Sequence, residues 1–354
     1  MSTNAAPSPA GSSALATALF DQVDRHALLD RVTDRWAPWF SAMEALGEDT
    51  RIRWGKIGLD GVLLESGLVP HGAHDGIGLF VKLLREHEGF TGEMPKLRQT
   101  PPPARRRLDV ALRVLRAPDR ASLPWKHFDL RPSSALPAAF AYTVLSQDET
   151  RALIAPRGRA KAMLSCRVLH ALHSAVVPDL AGASDRNVWL VPVNMRGAVK
   201  TADELANQIS FLPIGLRDGA SALDIQQTMR DMLRADLHWG TWDAMGLRAL
   251  LGRHFVRAFT RHLYRGLVRR GGTGWLGSFS FGGVVAAQGV TPKFAWYGVP
   301  PTSLMWPISA GSFAWGGQMS LALQVHDSLG KNASWAAGAV EEWKRRALEH
   351  ANNE

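Results

Sequence analysis

The stretch that decides how this chain is interpreted reads Pro70-His71-Gly72-Ala73-His74-Asp75-Gly76. Two β-like runs precede it, at 51–59 and 61–69, and the Asp60-Gly61 pair between them is typical of a hairpin turn. Beyond Gly76, apolar residues recur at helical spacing, which predicts a helix. The stretch is therefore predicted to be a strand-to-helix turn, an exposed loop that is held rigidly at both ends.

A histidine in such a turn is suited to proton transfer. Its unperturbed pKa of about 6.5 leaves the ring neutral near neutral pH, so one nitrogen accepts a proton while a hydrogen bond holds the other. His71 is the candidate general base, and Asp75 is a candidate buttress that pairs with a distant arginine. Gly76 is predicted to give the backbone freedom to leave the turn. Taken alone, the stretch is also typical of a capping or core histidine, and His74 is interpreted as a loop or pocket residue.

Length and composition limit the protein class. The 354 residues suggest two domains or two fused half-domains, and 46% apolar with 21% charged residues is ordinary for a globular protein. No apolar run approaches the ~18 residues of a membrane span, and the small, polar residues 1–13 are predicted to be a disordered tail without a signal-peptide pattern. The lone Cys166 is interpreted as a buried small hydrophobe, with a catalytic thiol as the alternative, and fits a reducing cytoplasm.

Residue patterns predict the remaining elements. Helical spacing occurs at 13–35, and Ser146 with Glu149 has the spacing of a capping box. The segment 91–137 contains three consecutive prolines and is interpreted as a crossing segment. Further helices are predicted at 159–177, 221–236, 242–270 and 334–351, strands at 140–145, 188–193 and 207–216 with a break at Pro213, and strands with loops across 271–325. His170 and His173 have no matching third ligand, so no metal site is predicted.

The net charge of +9 favours acidic partners, and one helix concentrates that charge. Its arginines recur every four residues, about 400° of helical rotation, and form one slowly drifting stripe with no acid between 244 and 273. The stripe consists of Arg253, Arg257, Arg261, Arg265 and Arg269. Three interpretations stay open: a solvated face, a docking surface for an acidic carrier protein or a phosphate-bearing donor, and peripheral contact with an anionic membrane. Nucleic acid is not predicted, because no binding module accompanies the stripe.

The chain resembles the chloramphenicol-acetyltransferase-like superfamily, which includes condensation domains, wax ester/diacylglycerol synthases and BAHD acyltransferases. Residues 70–76 are similar to its H-H-x-x-x-D-G motif, with Pro70 in place of the first histidine. Val191-Pro192-Val193-Asn194-Met195-Arg196 resembles the V-N-x-R strand of the family's second half. Looser matches are Asn207 with the apolar residues after it, and Gly277-Ser278-Phe279-Ser280-Phe281-Gly282.

The resemblance implies a fold and a reaction. The fold is α/β, with two half-domains of mixed sheets and helices and an active-site channel between them. An abbreviated N-terminal half-domain would cover 14–135 and a C-terminal one 136–354. His71 would be the catalytic base and Arg196 would pair with Asp75, while Ser278, Ser280 and Asn194 are candidate oxyanion or pocket residues.

The implied activity is acyl transfer from a thioester to a hydroxyl or amine of a small-molecule or lipid acceptor. The donor would be acyl-CoA or an acylated phosphopantetheinyl carrier, with no permanently bound cofactor, and the expected location is the cytoplasm. Two alternatives stay open. One is a condensation-type enzyme that joins carrier-bound units by an amide or ester bond, and the other is a non-catalytic module that docks carrier proteins.

Overall fold

The computed structural model describes residues 34–97, 99–116, 121–130, 139–155, 162–182, 184, 187–199, 201, 203–287 and 289–353. The predicted tail at 1–13 lies outside these residues, as does the predicted helix at 13–35 apart from its last two positions.

Helices and strands alternate irregularly along the chain. The helices are α1 (Ala37–Glu44), α2 (Gly76–Glu88), α3 (Ala104–Arg116), α4 (Gln147–Ile154), α5 (Leu164–Leu180), α6 (Ala222–Arg234), α7 (Leu237–Leu250), α8 (Gly252–Arg270) and α9 (Ala333–Asn353). The strands are β1 (Arg51–Gly58), β2 (Leu63–Pro70), β3 (Ala139–Val144), β4 (Asn187–Asn194), β5 (Ile209–Leu216), β6 (Gly277–Val285), β7 (Phe294–Val299), β8 (Ile308–Trp315) and β9 (Gln318–Val325).

The strands form two sheets. The smaller sheet is antiparallel, with strand order β2-β1-β7. The larger has the order β3-β9-β8-β6-β4-β5, in which β6 runs parallel to β4 and β8 and the other neighbours are antiparallel. The β1–β2 pairing confirms the predicted hairpin. Since β7 follows β6 in the chain and pairs with β1, the smaller sheet takes strands from both sides of the predicted boundary at 135/136.

The two sheets touch where β7 passes over β8. A side chain at Gly311 would overlap the backbone carbonyl of Gly298, so this crossing requires glycine. Ser320 Oγ donates to the Trp296 carbonyl oxygen at 2.5 Å and ties β9 to β7 in the same region. The close contact fixes how the smaller sheet lies on the larger one.

Helices α5 and α9 cover the larger sheet and bury its main apolar core. Trp343 of α9 is fully buried and donates through Nε1 to the Val168 carbonyl oxygen of α5 at 2.9 Å. Cys166 lies in this core, and burial raises the pKa of its thiol. This placement agrees with the interpretation of Cys166 as a small buried hydrophobe.

Two expectations about local structure were wrong. Strand β5 continues through Pro213 because it is an edge strand, where a missing N–H can face away from the sheet. The predicted helix at 242–270 is two helices, since Gly252 adopts a left-handed conformation (φ +84°) that ends α7 and begins α8. The crossing segment 91–137 contains a helix, α3, directly after its prolines. The capping box at Ser146 is confirmed. Among the described residues, no helix is long and apolar enough to cross a membrane.

Candidate functional site

The loop that carries His71 lies between β2 and α2. Strand β2 ends at Pro70, and helix α2 begins at Gly76 with Asp75 as its N-cap. The Asp75 carboxylate accepts the Gly78 N–H at 2.8 Å through Oδ1, which satisfies one of the amide donors at the start of the helix. The five residues 71–75 therefore connect a strand end directly to a capped helix, as the sequence predicts.

Hydrogen bonds fix the tautomer of His71. Its Nδ1 lies 2.9 Å from the carbonyl oxygen of His74. Because a carbonyl oxygen only accepts, Nδ1 carries the proton and Nε2 keeps its lone pair. Asn207 Nδ2 lies 3.4 Å from the same Nδ1 but donates to the His71 carbonyl oxygen at 2.8 Å. No described residue bonds to Nε2, so this nitrogen is available as an acceptor.

The surroundings of His71 keep the ring neutral. The side chain is buried and its ring stacks on Phe40, with centroids 4.6 Å apart and planes at 30°. Burial lowers the pKa of His71 because it penalises the charged form, against smaller opposing effects of the His74 carbonyl and the Asp75 charge. A buried, neutral imidazole with one fixed N–H is the state that a general base requires.

Asp75 and Arg196 form a buried ion pair across the two segments. Arg196 Nη1 lies 2.8 Å from Asp75 Oδ2, and both side chains are almost completely buried. The same carboxylate oxygen accepts the Gln208 N–H at 2.7 Å. None of these bonds reaches the His71 ring. The hydrogen bonds of Asp75 thus place it with Arg196 as support for the loop rather than with the reacting groups.

Arg196 also holds the segment before β5. Its Nε donates to the Glu204 carbonyl oxygen at 3.0 Å and its Nη2 to the Ala206 carbonyl oxygen at 2.7 Å. Asn194 accepts the Arg196 N–H at 3.1 Å and donates to the Pro95 carbonyl oxygen at 2.7 Å. The Asn194 amide is therefore occupied in anchoring this segment, although the residue borders the cavity described next.

His71 lines a cavity of about 240 Å³ that lies between the two sheets. Strands β1 and β7 of the smaller sheet and β4, β5, β6 and β8 of the larger one all contribute to its wall, together with α1, α2 and α7. Most of the lining is apolar. Its aromatic residues are Trp36, Trp39, Phe40, Phe80, Phe211, Phe279, Phe281 and Trp306, and its polar side chains are His71, Asn194, Thr241, Ser278, Ser280 and Ser312.

The two predicted serines differ in whether their hydroxyl groups are free to donate a hydrogen bond to a substrate. Ser309 Oγ donates to the Pro301 carbonyl oxygen at 2.7 Å, and Ser278 Oγ lies 2.8 Å from Ser309 Oγ. Since the Ser309 proton is used on Pro301, Ser278 must donate to Ser309, and its own proton is occupied. Ser280 also lines the cavity, and its hydroxyl has no partner among the described residues. Ser280 is thus the better placed of the two to donate to a developing oxyanion.

Ser312 is a cavity residue that the sequence did not indicate. It stands on β8 opposite Phe281 of β6, and its buried hydroxyl has no partner among the described residues. A serine in an apolar strand carries no sequence signal of its own. Only the pairing of β6 with β8 brings Ser312 to the same wall as Ser280.

Gly76 does not have the unusual backbone conformation that its predicted role implies. Its φ is not positive, so the turn does not depend on glycine there. A Cβ at this position would point toward Ser280 Oγ, 3.8 Å away, at the wall of the cavity. A Cβ would therefore meet Ser280 at an ordinary van der Waals distance, so neither the backbone nor the packing requires glycine at this position.

The structure resembles solved acyltransferases and condensation domains. No family model and no curated protein matches the sequence. A trichothecene 15-O-acetyltransferase from Fusarium sporotrichioides superposes with a TM-score of 0.51 at 15% identity, over 84% of this chain and 70% of that one. The chain shares the fold of this acetyltransferase. The predicted α/β class with two lobes is therefore confirmed.

Two further solved structures match the chain at lower similarity. The first condensation domain of the CDA synthetase gives a TM-score of 0.48 at 15% identity, over 83% of this chain and 64% of that one. The wax ester synthase/diacylglycerol acyltransferase from Marinobacter aquaeolei VT8 gives 0.46 at 15% identity, over 84% and 71%. The chain thus spans roughly two thirds of the length of these proteins.

Other residues singled out in the sequence lie away from the cavity. His173 accepts the Trp189 Nε1–H at 3.1 Å through Nδ1, and burial, with a smaller effect of His170, lowers its pKa to about 4. Among the residues that the structure describes, no cluster of three His, Cys, Asp or Glu side chains suits a metal ion. The arginine stripe lies on the exposed face of α8 and does not line the cavity.

Proposed function

We propose that this protein is an acyltransferase in which His71 is the general base. The observation that carries the proposal is the state of the His71 ring. Its Nδ1 is bonded to the His74 carbonyl oxygen, and its Nε2 has no hydrogen-bond partner among the described residues. His71 itself lines the cavity. The fold alone does not define an activity, because one fold hosts many chemistries. The proposal therefore rests on this site and is supported by the acetyltransferase that shares the fold.

The reaction requires one proton acceptor. Nε2 of His71 takes the proton from the acceptor's hydroxyl or amine as its oxygen or nitrogen attacks the thioester carbonyl carbon. The carbonyl π electrons move onto oxygen and form a tetrahedral oxyanion. When the carbonyl re-forms, the carbon–sulfur bond breaks, and the departing thiolate receives the proton from the imidazolium. The products are an ester or amide and a free thiol, without a covalent enzyme intermediate.

The His71 loop and one hydroxyl support this chemistry. The His74 carbonyl stabilises the transient imidazolium through the Nδ1–H bond, and the Asp75–Arg196 pair keeps the loop in place. The unpartnered hydroxyl of Ser280 donates a hydrogen bond to the oxyanion. In other acyl-transfer sites, one such donor contributes about 10²–10³-fold to kcat. Ser278 is assigned no such role because its proton is committed to Ser309.

The cavity wall indicates the kind of substrate that fits. Among the described residues, His71 is the only ionisable side chain that lines it, and its walls are rich in aromatic and aliphatic groups. Charged substrate groups would lose hydration there without a compensating partner. We therefore propose an apolar acyl chain or an apolar acceptor inside the cavity, with the phosphates of an acyl-CoA or carrier-bound donor remaining outside.

The test is acceptor-dependent thiol release. Purified protein is supplied with a panel of acyl-CoA and acylated carrier donors together with simple alcohols and amines, and free thiol is measured. His71→Ala is expected to reduce release by about 10²–10⁴-fold, the usual contribution of a positioned base. His127→Ala, at an exposed histidine far from the loop in sequence, is the matched control and should leave the rate unchanged.

The outcomes separate the alternatives. Equal release by the wild type and His71→Ala would overturn the assignment of the base. Turnover that requires two carrier-bound units would identify a condensation-type enzyme with the same base. Binding of an acylated carrier protein without turnover for any donor would instead identify a non-catalytic docking module.

A further inference from the structure

The exposed side of α8 is a nearly continuous cationic surface, here called the arginine face. It consists of Arg253, Arg257, Arg261, Arg265 and Arg269, all of them exposed. At 1.5 Å per residue the first and last of these are about 24 Å apart along the helix axis. Val256, Thr260 and Leu267 are buried on the side through which the helix packs. The helix thus packs through one side and presents charge along the whole of the other.

These charges have no counterions within the described part of the protein. None of the five arginines forms an ion pair with a described residue, whereas exposed arginines on other helices do, such as Arg151 with Asp148 and Arg234 with Asp231. No acidic residue occurs between positions 244 and 273. Like charges four residues apart repel one another by a few tenths of a kcal/mol per pair, so the five arginines lower the stability of the helix taken by itself.

Large apolar side chains are exposed beside the first arginines. Helices α7 and α8 meet at Gly252, and the corner exposes Leu250 (40%), Leu251 (61%) and Phe255 (44%). Three large apolar side chains within six residues are thus exposed to water, although the Phe255 ring stacks on Phe259 with ring centroids 6.2 Å apart. Together with Arg253 and Arg257 they give this end of α8 both an apolar group to bury and cations to hold it at a charged boundary.

We propose that the arginine face and the apolar corner bind the surface of an anionic lipid bilayer. An acidic protein partner fits less well, because it would have to present acids along a whole row of about 24 Å, whereas protein interfaces are depleted of Asp and Glu and place their polar groups at the rim of an apolar core. A bilayer offers negative charge at every point of a 24 Å row (the helix rise applied to sixteen steps) and an apolar interior for the corner to enter. The contact is peripheral, since no described helix is able to span a membrane.

The arginine face lies on a helix that packs against the wall of the cavity. Val256 of α8 packs in one apolar cluster with Trp36, Trp39 and Phe40, and these three aromatic residues line the cavity. Phe259 packs against the same cluster from the side. The bilayer would therefore lie one layer of side chains away from the cavity wall. Apolar substrates concentrate in a bilayer, so binding there would place the cavity next to them.

The experiment is sedimentation of the full chain with vesicles, in the absence of any substrate. Vesicles of equal parts phosphatidylglycerol and phosphatidylcholine are compared with phosphatidylcholine alone at increasing salt. We expect binding to the anionic vesicles that weakens as salt rises. Neutralising two arginines, Arg257→Gln with Arg261→Gln, should weaken partitioning about 30-fold, from about 1 kcal/mol per arginine at an anionic surface.

Two further variants complete the design. The control pair Arg217→Gln with Arg230→Gln removes the same charge from exposed positions elsewhere and should bind like the wild type. Replacing two corner residues, Leu251→Ser with Phe255→Ser, should weaken binding about tenfold or more while the salt dependence persists. Because these residues are exposed, the melting temperature should not fall.

Three results would overturn the proposal: equal binding to neutral and anionic vesicles, equal loss for the two arginine pairs, or no vesicle binding at all. In the last case, binding of an acidic carrier protein that Arg257→Gln with Arg261→Gln abolishes would assign the face to a protein partner. The measurement involves no turnover, so it stands or falls independently of acyl transfer by His71.

Discussion

Replacing Asp75 with asparagine tests whether the buried ion pair holds the His71 loop. The substitution preserves the shape of the side chain and removes its charge. It leaves the Arg196 guanidinium buried, with its side chain 4% exposed and no carboxylate within reach. It also turns an amide N–H₂ toward either the Gly78 N–H or the Arg196 and Gln208 donors, because an asparagine has only one acceptor oxygen.

The size of the effect follows from these contacts. Removing one partner of a buried ion pair costs about 3–5 kcal/mol, since the other charge stays buried without compensation. Arg196 keeps the carbonyl oxygens of Glu204 and Ala206 as acceptors, so we expect the lower end, about 3 kcal/mol of unfolding free energy. Arg196→Met should relieve much of that cost in the double variant, giving a coupling energy of about 2 kcal/mol.

The assay is urea unfolding followed by tryptophan fluorescence, for which the chain has thirteen tryptophans. The control is Glu93→Gln, which breaks the exposed Glu93–Lys96 pair and should cost under about 0.5 kcal/mol. A loss below about 1 kcal/mol for Asp75→Asn, or effects of Asp75→Asn and Arg196→Met that simply add, would refute the argument that this pair locks the loop.

Three further predictions concern packing, proton binding and the oxyanion. Gly311→Ala should lower the unfolding free energy by about 3 kcal/mol in urea titrations, because its Cβ would overlap a backbone carbonyl of the adjoining sheet, whereas Gly338→Ala, exposed on α9, should raise it by up to about 1 kcal/mol. The pKa of His173 is lowered to about 4, so the unfolded state binds its proton first as pH falls from about 6.5, and up to about 3 kcal/mol of stability is lost by pH 4; His173→Gln, compared by unfolding at each pH, should lose less. Ser280→Ala should lower kcat about 100-fold and Ser278→Ala far less in the thiol-release assay, and equal effects would contradict the assignment of Ser280 as the donor.

The loop of His71 was accessible from the sequence because its determinants are local. The Asp60-Gly61 turn, the end of the strand at Pro70 and the helical spacing after Gly76 specify a hairpin, a turn and a helix without reference to the rest of the chain. The partner of Asp75 was not local. Arg196 was expected only because the second segment resembles the family strand. It lies 121 positions further along the chain, and the fold brings it into contact with Asp75.

Other features depend on pairings that no local pattern encodes. The joining of β7 to β1 brings together segments more than 200 residues apart, and it creates one wall of the cavity. The stacking of Phe40 on His71 joins α1 to the loop after β2, and the pairing of β6 with β8 brings Ser312 to the same wall as Ser280. The break at Gly252 escaped prediction because the apolar period continues across it, while only the left-handed backbone separates α7 from α8.

The serines show a further limit of sequence reasoning. Ser278 and Ser280 are equivalent as residue types, and the sequence offered both as oxyanion donors. The structure separates them by the direction of a hydrogen-bond chain, from Ser278 through Ser309 to the Pro301 carbonyl oxygen. Proton availability is a property of the assembled site, so it could not be read from spacing alone.

The most direct measurement of the central claim is the pH dependence of kcat/KM for the wild type and for His71→Ala. The base acts when it is deprotonated, and burial lowers the pKa of His71, so wild-type activity should fall only as pH drops below about 6.5 and stay level above it. His71→Ala should lose most of the rate, and added imidazole should restore part of it. A variant that keeps the wild-type rate and the same pH profile would contradict the account.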